Sequence, residues 1–271
     1  MEWRDLGGNT YVLGSQGVPG VRLNTGLVVG AERAMVVDTG CGPRHGAQIL
    51  TAVRELTELP LVVATTHAHW DHFFGNAVFR HDGATEFWAH AAAARAMAAT
   101  GESQRAFVGG TEPEMAAGTG ALTEIVPPTA LVEDRPVLVD LGGVSVTLFW
   151  LGRAHTDGDL LVGTPSTLFA GDIVEEGADP SFEDSFPADW ADVLRQLVGL
   201  RDRYDFLVPG HGKPASSGFV AGMADTMTHA VRQASDALAD MPDLATKAIP
   251  MLPYGPDEAR LFLSRLRATQ H

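Results

Sequence analysis

The segment Thr66-His67-Ala68-His69-Trp70-Asp71-His72 constrains this chain more than any other, because four potential metal-binding side chains fall within six positions. His67 and His69 are two residues apart, so an extended backbone projects both to the same side. Asp71 and His72 follow at once, and a turn there aims them at a second ion nearby. Imidazole nitrogen and carboxylate oxygen suit zinc, and also iron or manganese. The short apolar run at residues 61–65 (LVVAT) leads straight into the segment and reads as a buried strand.

Three further candidates share that setting. His155 follows the strand-like residues 144–151, Asp172 follows residues 167–170, and His211 follows residues 205–208. If these strands run side by side in the same sense, all seven side chains meet at one edge of a sheet, where strand-end loops commonly form sites. Gly171 and Gly210 directly precede ligands and Gly212 follows one, which suits sharp turns and close backbone approach. Seven ligands divide between two ions. His67, His69 and His155 make one site, Asp71, His72 and His211 the other, with Asp172 and a water bridging them. The remaining histidines, His45, His81, His90, His229 and His271, sit in no comparable context and are given no role.

The rest of the chain supplies strands and helices for such an edge. Residues 25–30 and 34–38 read as strands around a turn at 31–33, and a helix opens near Pro43 with Ile49, Val53 and Leu56 at helical spacing. Residues 85–88 read as a strand and 90–100 as an Ala-rich helix. Residues 101–135 are rich in Gly, Pro, Thr and Glu and predict a long loop with some helix. Strands at 136–141 and 144–151 flank a Gly142-Gly143 hairpin, and residues 160–163 and 167–170 form the next pair. Residues 187–203 are an amphipathic helix, 205–208 a last buried strand, and helices follow around Phe219–Leu238 and over 256–267. Two strand-rich halves, each followed by helix and joined by no low-complexity linker, predict an α/β sandwich with two mixed sheets inside and helices outside. It is read as one domain over 1–271, with a core of about 8–215 and a C-terminal helical extension of about 216–271.

Composition narrows the function. The formal net charge is −15 and no basic cluster occurs, which argues against nucleic acid. The N-terminus has no basic start followed by an apolar run, and no stretch reaches about 18 apolar residues, so no membrane contact is expected and the cytoplasm is the expected location. The single cysteine, Cys41, fits a reducing compartment, and with no basic partner evident nearby it is not expected to be a nucleophile. The expected partner is a small-molecule substrate, with the chain a monomer or homodimer.

The pieces MVVDTG (35–40), THAHWDH (66–72), GRAHTDGD (152–159), LFAGDIV (168–174) and VPGHG (208–212) resemble, in content and order, the metallo-β-lactamase superfamily. The resemblance spans roughly residues 8–215. It implies an αββα sandwich, a metal cleft at one edge, two zinc ions divided as above, and a supporting shell of Asp38, Thr156 and Asp159 around the ligands. It also implies an enzyme, a hydrolase in which a metal-bridging hydroxide attacks an activated carbonyl (a thioester, lactone or related ester) and Asp71 orients it and accepts its proton. Asp172 resembles the general hydrolase branch more than the β-lactamases. The phrases TGLVVG, DHFFGNAVF and GRAHTDGDLLV are similar to zinc thioesterases and cyclases of polyketide pathways. Those, a β-lactamase and a mononuclear iron persulfide dioxygenase are the alternatives. For substrate contacts, Trp70, Phe73 and Phe74 flank metal ligands, and Phe182 and Phe186 lie in the acidic segment EEGADPSFEDSF, from which they would cap the cleft. The five acidic residues of that segment would repel strongly anionic substrates, and Lys213 would bind a carboxylate.

Overall fold

The computed structural model describes residues 2–200, 202–240 and 242–269, so His271 lies outside the described residues. The first half contributes β1 (Trp3–Asp5), β2 (Thr10–Val18), β3 (Val21–Val29), β4 (Ala34–Val37), β5 (Leu61–Ala64), β6 (Glu86–His90) and β7 (Ala130–Val132). The second contributes β8 (Val137–Asp140), β9 (Ser145–Phe149), β10 (Leu161–Gly163), β11 (Thr167–Glu175) and β12 (Phe206–His211). Strands run in the order β7-β6-β5-β4-β3-β12-β11-β10-β9-β8, with β1 and β2 paired on the other edge of β3. The two wings fold face to face, and the strand pairing between them is at His211 with Leu23.

Each face of the wings is apolar for a different reason. Between them lie Val28, Met35, Val37, Val62 and Val132 from the first wing and Val146, Leu148, Val162, Phe169 and Val208 from the second. Strands covered on both sides read as unbroken apolar runs, which is why β4, β5 and β11 show no alternation. Outside the first wing pack α1 (Pro43–Leu56) and α3 (Asn76–His81), through Ile49, Val53, Val78 and Phe79. Outside the second pack α6 (Pro187–Gly199), α7 (Ser217–Asp240) and α8 (Pro256–Thr269), through Trp190, Leu194, Met227, Phe262 and Leu266. Each fully buried side chain of this size contributes about 1.5–3 kcal/mol. Trp190 also satisfies its indole N–H on the Ile173 carbonyl (2.9 Å). The arrangement is an αββα sandwich. Among the described residues, no helix is long and apolar enough to cross a membrane.

Residues 101–135 are a long loop with some helix, as expected: α4 (Ala91–Gln104) runs into a 3-10 turn at Arg105–Val108 and α5 (Pro113–Ala117) follows. They also carry a strand that was not expected, β7, which joins β6 as a parallel edge strand. Neither β1 nor β2 was expected. The amphipathic helix α6 stops at Gly199 rather than at residue 203.

The sense of the strands decides where the site lies. β4 and β5 are parallel, as are β11 and β12. β9 joins β11 through antiparallel β10, and β12 joins β4 through antiparallel β3. The strands β5, β9, β11 and β12 therefore all run in one direction, and their ligand-bearing ends share one edge.

Candidate metal centre

Each candidate ligand reaches that edge by a short, identifiable route. β5 ends at Ala64, and His67 and His69 follow in the turn before the four-residue helix α2 (Trp70–Phe73). α2 carries Asp71 in its first turn, where an acidic side chain is favourable, and His72 one residue on. His155 lies beyond β9 in a segment tied to the metal loop by the Leu160 amide, which donates to the Thr66 carbonyl (2.7 Å). Asp172 is not beyond its strand, as the sequence suggested, but inside β11 at a break in register, and His211 is the last residue of β12. Gly171 makes the break possible: its φ is +53°, and a Cβ there would strike Thr66. A Cβ on Gly210 would strike Asp172 and His72.

The ligand atoms form two groups, His67, His69, His155 with Asp172, and Asp71, His72 with His211, each within 4.8 Å of one another. The rings of His67, His69 and His155 stand mutually edge-on with all three centroid separations 4.7 Å, facing a common point. Asp172 touches both groups. Its Oδ2 is 3.6 Å from His67 Nε2 and 3.4 Å from His211 Nε2, and its Oδ1 is 3.5 Å from His72 Nε2. Among the described residues, Nε2 of His67 and both ring nitrogens of His155 are buried without a hydrogen-bond partner. Buried polar atoms are rarely left so. Convergent imidazoles and carboxylates with unpaired inner atoms fit a pair of divalent ions.

The outer nitrogens are held in turn. Asp38 accepts from His72 Nδ1 (2.8 Å), the Thr66 amide (2.8 Å) and Thr66 Oγ1 (2.8 Å), at a backbone φ of +62° that only a strongly anchored non-glycine residue keeps. The backbone of Thr39 bonds the His72 carbonyl (2.9 Å), clamping α2 to the β4 turn. His211 Nδ1 donates to the Arg22 carbonyl (2.9 Å). Asp159 accepts from the Thr156 amide and hydroxyl (both 2.8 Å), shaping the His155 turn, while its own oxygen stays 3.6 Å from His155 Nδ1. Asp184, which sequence reasoning placed only among repelling acids, lies 3.1 Å from His69 Nε2.

Charge in the site is finely opposed. Burial, and next to it His72, holds His67 well below the usual imidazole range, so it is neutral. Burial opposes protonation of His72 and of His211 too, but Asp172 and Asp71 outweigh it and raise both. Burial would raise Asp172, yet His211, His72 and His67 hold it well below the carboxylate range. Without an ion, protons on His72 and His211 balance the carboxylates, a role a divalent cation fills equally well. Glu175, at the end of β11, is pushed well above the carboxylate range by burial and then by Asp172, and it lines the cleft.

The metal edge opens into a cleft of about 770 Å³. Trp70, Thr100, Gln104 and Phe107 line it together with Glu175, Glu176, Glu183 and Asp184, and Arg22 also reaches it. Trp70 stacks on Phe107 (6.3 Å, 30°), and Phe107 is 60% exposed. Several expected contacts are elsewhere. Phe73 and Phe74 are buried beneath the metal loop with Met97 and Met115. Phe182 is buried against Trp190, Tyr254 and Phe262, because the C-terminal helices cover it. Phe186 lines a smaller neighbouring pocket of about 180 Å³, under Arg153 and Arg265. Lys213 is exposed and outside the cleft, its amide bonded to Glu176 (2.7 Å). Cys41 does have a basic partner: His45 Nδ1 lies 3.0 Å from its sulfur. Burial, with Asp71 and Glu112, still pushes the thiol up to about 12, which leaves it protonated and unreactive. Of the other histidines, His90 caps α4 and stacks on Trp150, and His81 and His229 are exposed.

The model of the metallo-beta-lactamase superfamily matches residues 18–211. The acyl-coenzyme A thioesterase MBLAC2 of Homo sapiens is 28% identical over 216 residues, covering 71% of this chain and 74% of that protein. Among solved structures, a metallo-beta-lactamase from Pontibacter korlensis superposes with a TM-score of 0.67 at 18% identity, covering 84% of this chain and 98% of its own. One from Hirschia baltica gives 0.64 at 18%, over 83% and 97%. At that identity the structures speak for the fold alone. With the family match spanning the whole metal-binding region, the chain belongs to the metallo-β-lactamase superfamily and is a hydrolase.

Proposed function

We propose that this hydrolase holds two zinc ions and cleaves an activated carbonyl compound, a thioester or related ester with an apolar acyl group. The observation that carries the reading is the position of Asp172 between two convergent ligand groups. The human relative named as an acyl-coenzyme A thioesterase supports the substrate class. Two such ions, when bound, supply Lewis acidity and a water acidified from about 15.7 toward about 7. His67, His69 and His155 would hold one ion, and Asp71, His72 and His211 the other, with Asp172 shared.

The protein's own groups do the rest. Asp71, at the cleft floor with its Oδ2 3.2 Å from His211 Nε2, orients the attacking water and accepts its proton. Glu175, buried at the end of β11, lines the same cleft. Trp70 and Phe107 receive the apolar part and keep water from it. A small-molecule substrate and a cytoplasmic location accompany this reading.

The test combines metal analysis with a panel of acyl-thioesters, lactones and β-lactams. Two zinc per chain and chelator-sensitive thioester hydrolysis are expected. Asp71→Ala should lower turnover by about 10²–10⁴-fold, the usual worth of a positioned acid–base group. One iron per chain with no hydrolysis of any panel member would overturn the proposal.

A further inference from the structure

We propose that the C-terminal helix α8 sets the affinity of the metal centre at His69, acting through Arg265 and Asp184. This rests on the metal-binding reading above. His69 is the least enclosed of the three edge-on histidines: 23% of its side chain is exposed, against 0% for His67 and 1% for His155. Packing therefore does not fix its ring as it fixes the other two. The bond to Asp184 does. With Nε2–H donated to that carboxylate, Nδ1 is left as the nitrogen free to bind an ion, and the ring cannot turn without losing the bond.

Asp184 stands on residues 176–186, which have no regular structure to hold them. The C-terminal elements hold them instead. Asp179 accepts from the Gly255 amide (2.6 Å), and the Phe182 amide donates to Glu258 on α8 (3.1 Å). Phe182 is seated against Phe262 of the same helix (5.0 Å). Arg265 then makes the decisive contact. Its Nη2 donates to the carbonyl of Asp184 (3.0 Å) and its Nε to the carbonyl of Ser185 (2.7 Å). A rigid guanidinium fork on two successive carbonyls fixes the peptide between them, and with it the direction of the Asp184 side chain. On the far side the Phe186 amide donates to the Ala154 carbonyl (2.8 Å), next to His155. The segment is thus strung between α8 and the metal edge. Asp184 and Arg265 are positioning residues, and neither touches substrate in this scheme.

The experiment titrates zinc into the metal-free protein in competition with a chromophoric chelator, for wild type, Asp184→Ala, Arg265→Ala, Arg265→Lys and the double variant Asp184→Ala/Arg265→Ala. Loss of an outer partner of a metal-bound histidine typically weakens binding 10–100-fold. Asp184→Ala should weaken one of the two ions by about that factor and leave the other unchanged. Arg265→Ala should weaken the same ion by less, and Arg265→Lys should recover part of the loss. The double variant should bind no more weakly than Asp184→Ala alone, because Arg265 acts through Asp184. Wild-type zinc affinity in Asp184→Ala overturns the proposal. So does an Arg265→Ala protein whose melting temperature falls while both zinc affinities stay put, since that is a purely structural role. A wild-type chain that binds no zinc overturns the metal-binding reading itself, which is a distinct result from binding that the variants leave unaltered.

Discussion

His45 makes the fold sensitive to acid in a way that can be worked through. It lies in the first turn of α1, 1% exposed, with its Nε2 2.8 Å from Ser15 Oγ. The Cys41 amide donates to its Nδ1 (3.3 Å), so the neutral ring carries its proton on Nε2. A second proton, on Nδ1, would face that amide. Burial, only partly offset by Asp71, pushes His45 down from 6.5 to about 4. Between those values the unfolded chain binds a proton that the folded one refuses, so stability falls as pH falls through 6.5 and the loss is complete below about 4. The full shift is worth about 3 kcal/mol, and at pH 4.5 about 2.5 kcal/mol has been lost. That is a large part of a typical stability of about 5–15 kcal/mol. Urea denaturation of wild type and His45→Gln, both with chelator present, at pH 7 and pH 4.5, isolates the effect, because every other titrating group is common to the two. The variant should lose about 2.5 kcal/mol less than wild type across the interval. Equal losses in the two proteins would refute the assignment of a buried neutral imidazole.

Other perturbations follow from the same contacts. Gly42 gives α1 no capping side chain, and Glu112, 1% exposed, accepts from the amides of Arg44 (3.0 Å) and His45 (2.7 Å) in its place. Glu112→Ala strands one buried and one part-buried N–H group and should cost about 1–3 kcal/mol by urea denaturation, with Glu112→Gln milder. Asp38→Ala removes the acceptor of His72 Nδ1 and should weaken zinc binding about 10–100-fold in a chelator competition. Phe107→Ala halves the aromatic wall and should raise KM about tenfold for long or aryl acyl groups, with kcat, zinc content and acetyl substrates little changed.

What the sequence reveals and conceals depends on how far apart the partners are. The segment from His67 to His72 is legible because its ligands are neighbours in the chain, and spacing alone aims them. His155 and His211, past or at strand ends, and Asp172, inside β11 at its break in register, are legible through the apolar runs that announce their strands. β7 is not: three residues of a Pro- and Thr-rich stretch become a strand only because β6 offers them an open parallel edge. The apolar pattern of β2 is interrupted by Gly14 and Gly17, and Gly17 is needed there because a Cβ would strike Cys41 and His45. The Cys41–His45 pair was findable, as the two are four apart at a helix start. Phe182 shows the opposite case. Its neighbours Ser181, Glu183 and Asp184 signal an exposed loop, and nothing local tells that Phe262, eighty residues on, will close over it. The same distant helix converts Asp184 from a solvated acid into the partner of His69. A motif therefore identifies the atoms that face an ion, whereas the groups that fix those atoms are recruited from wherever the fold brings backbone and charge within reach.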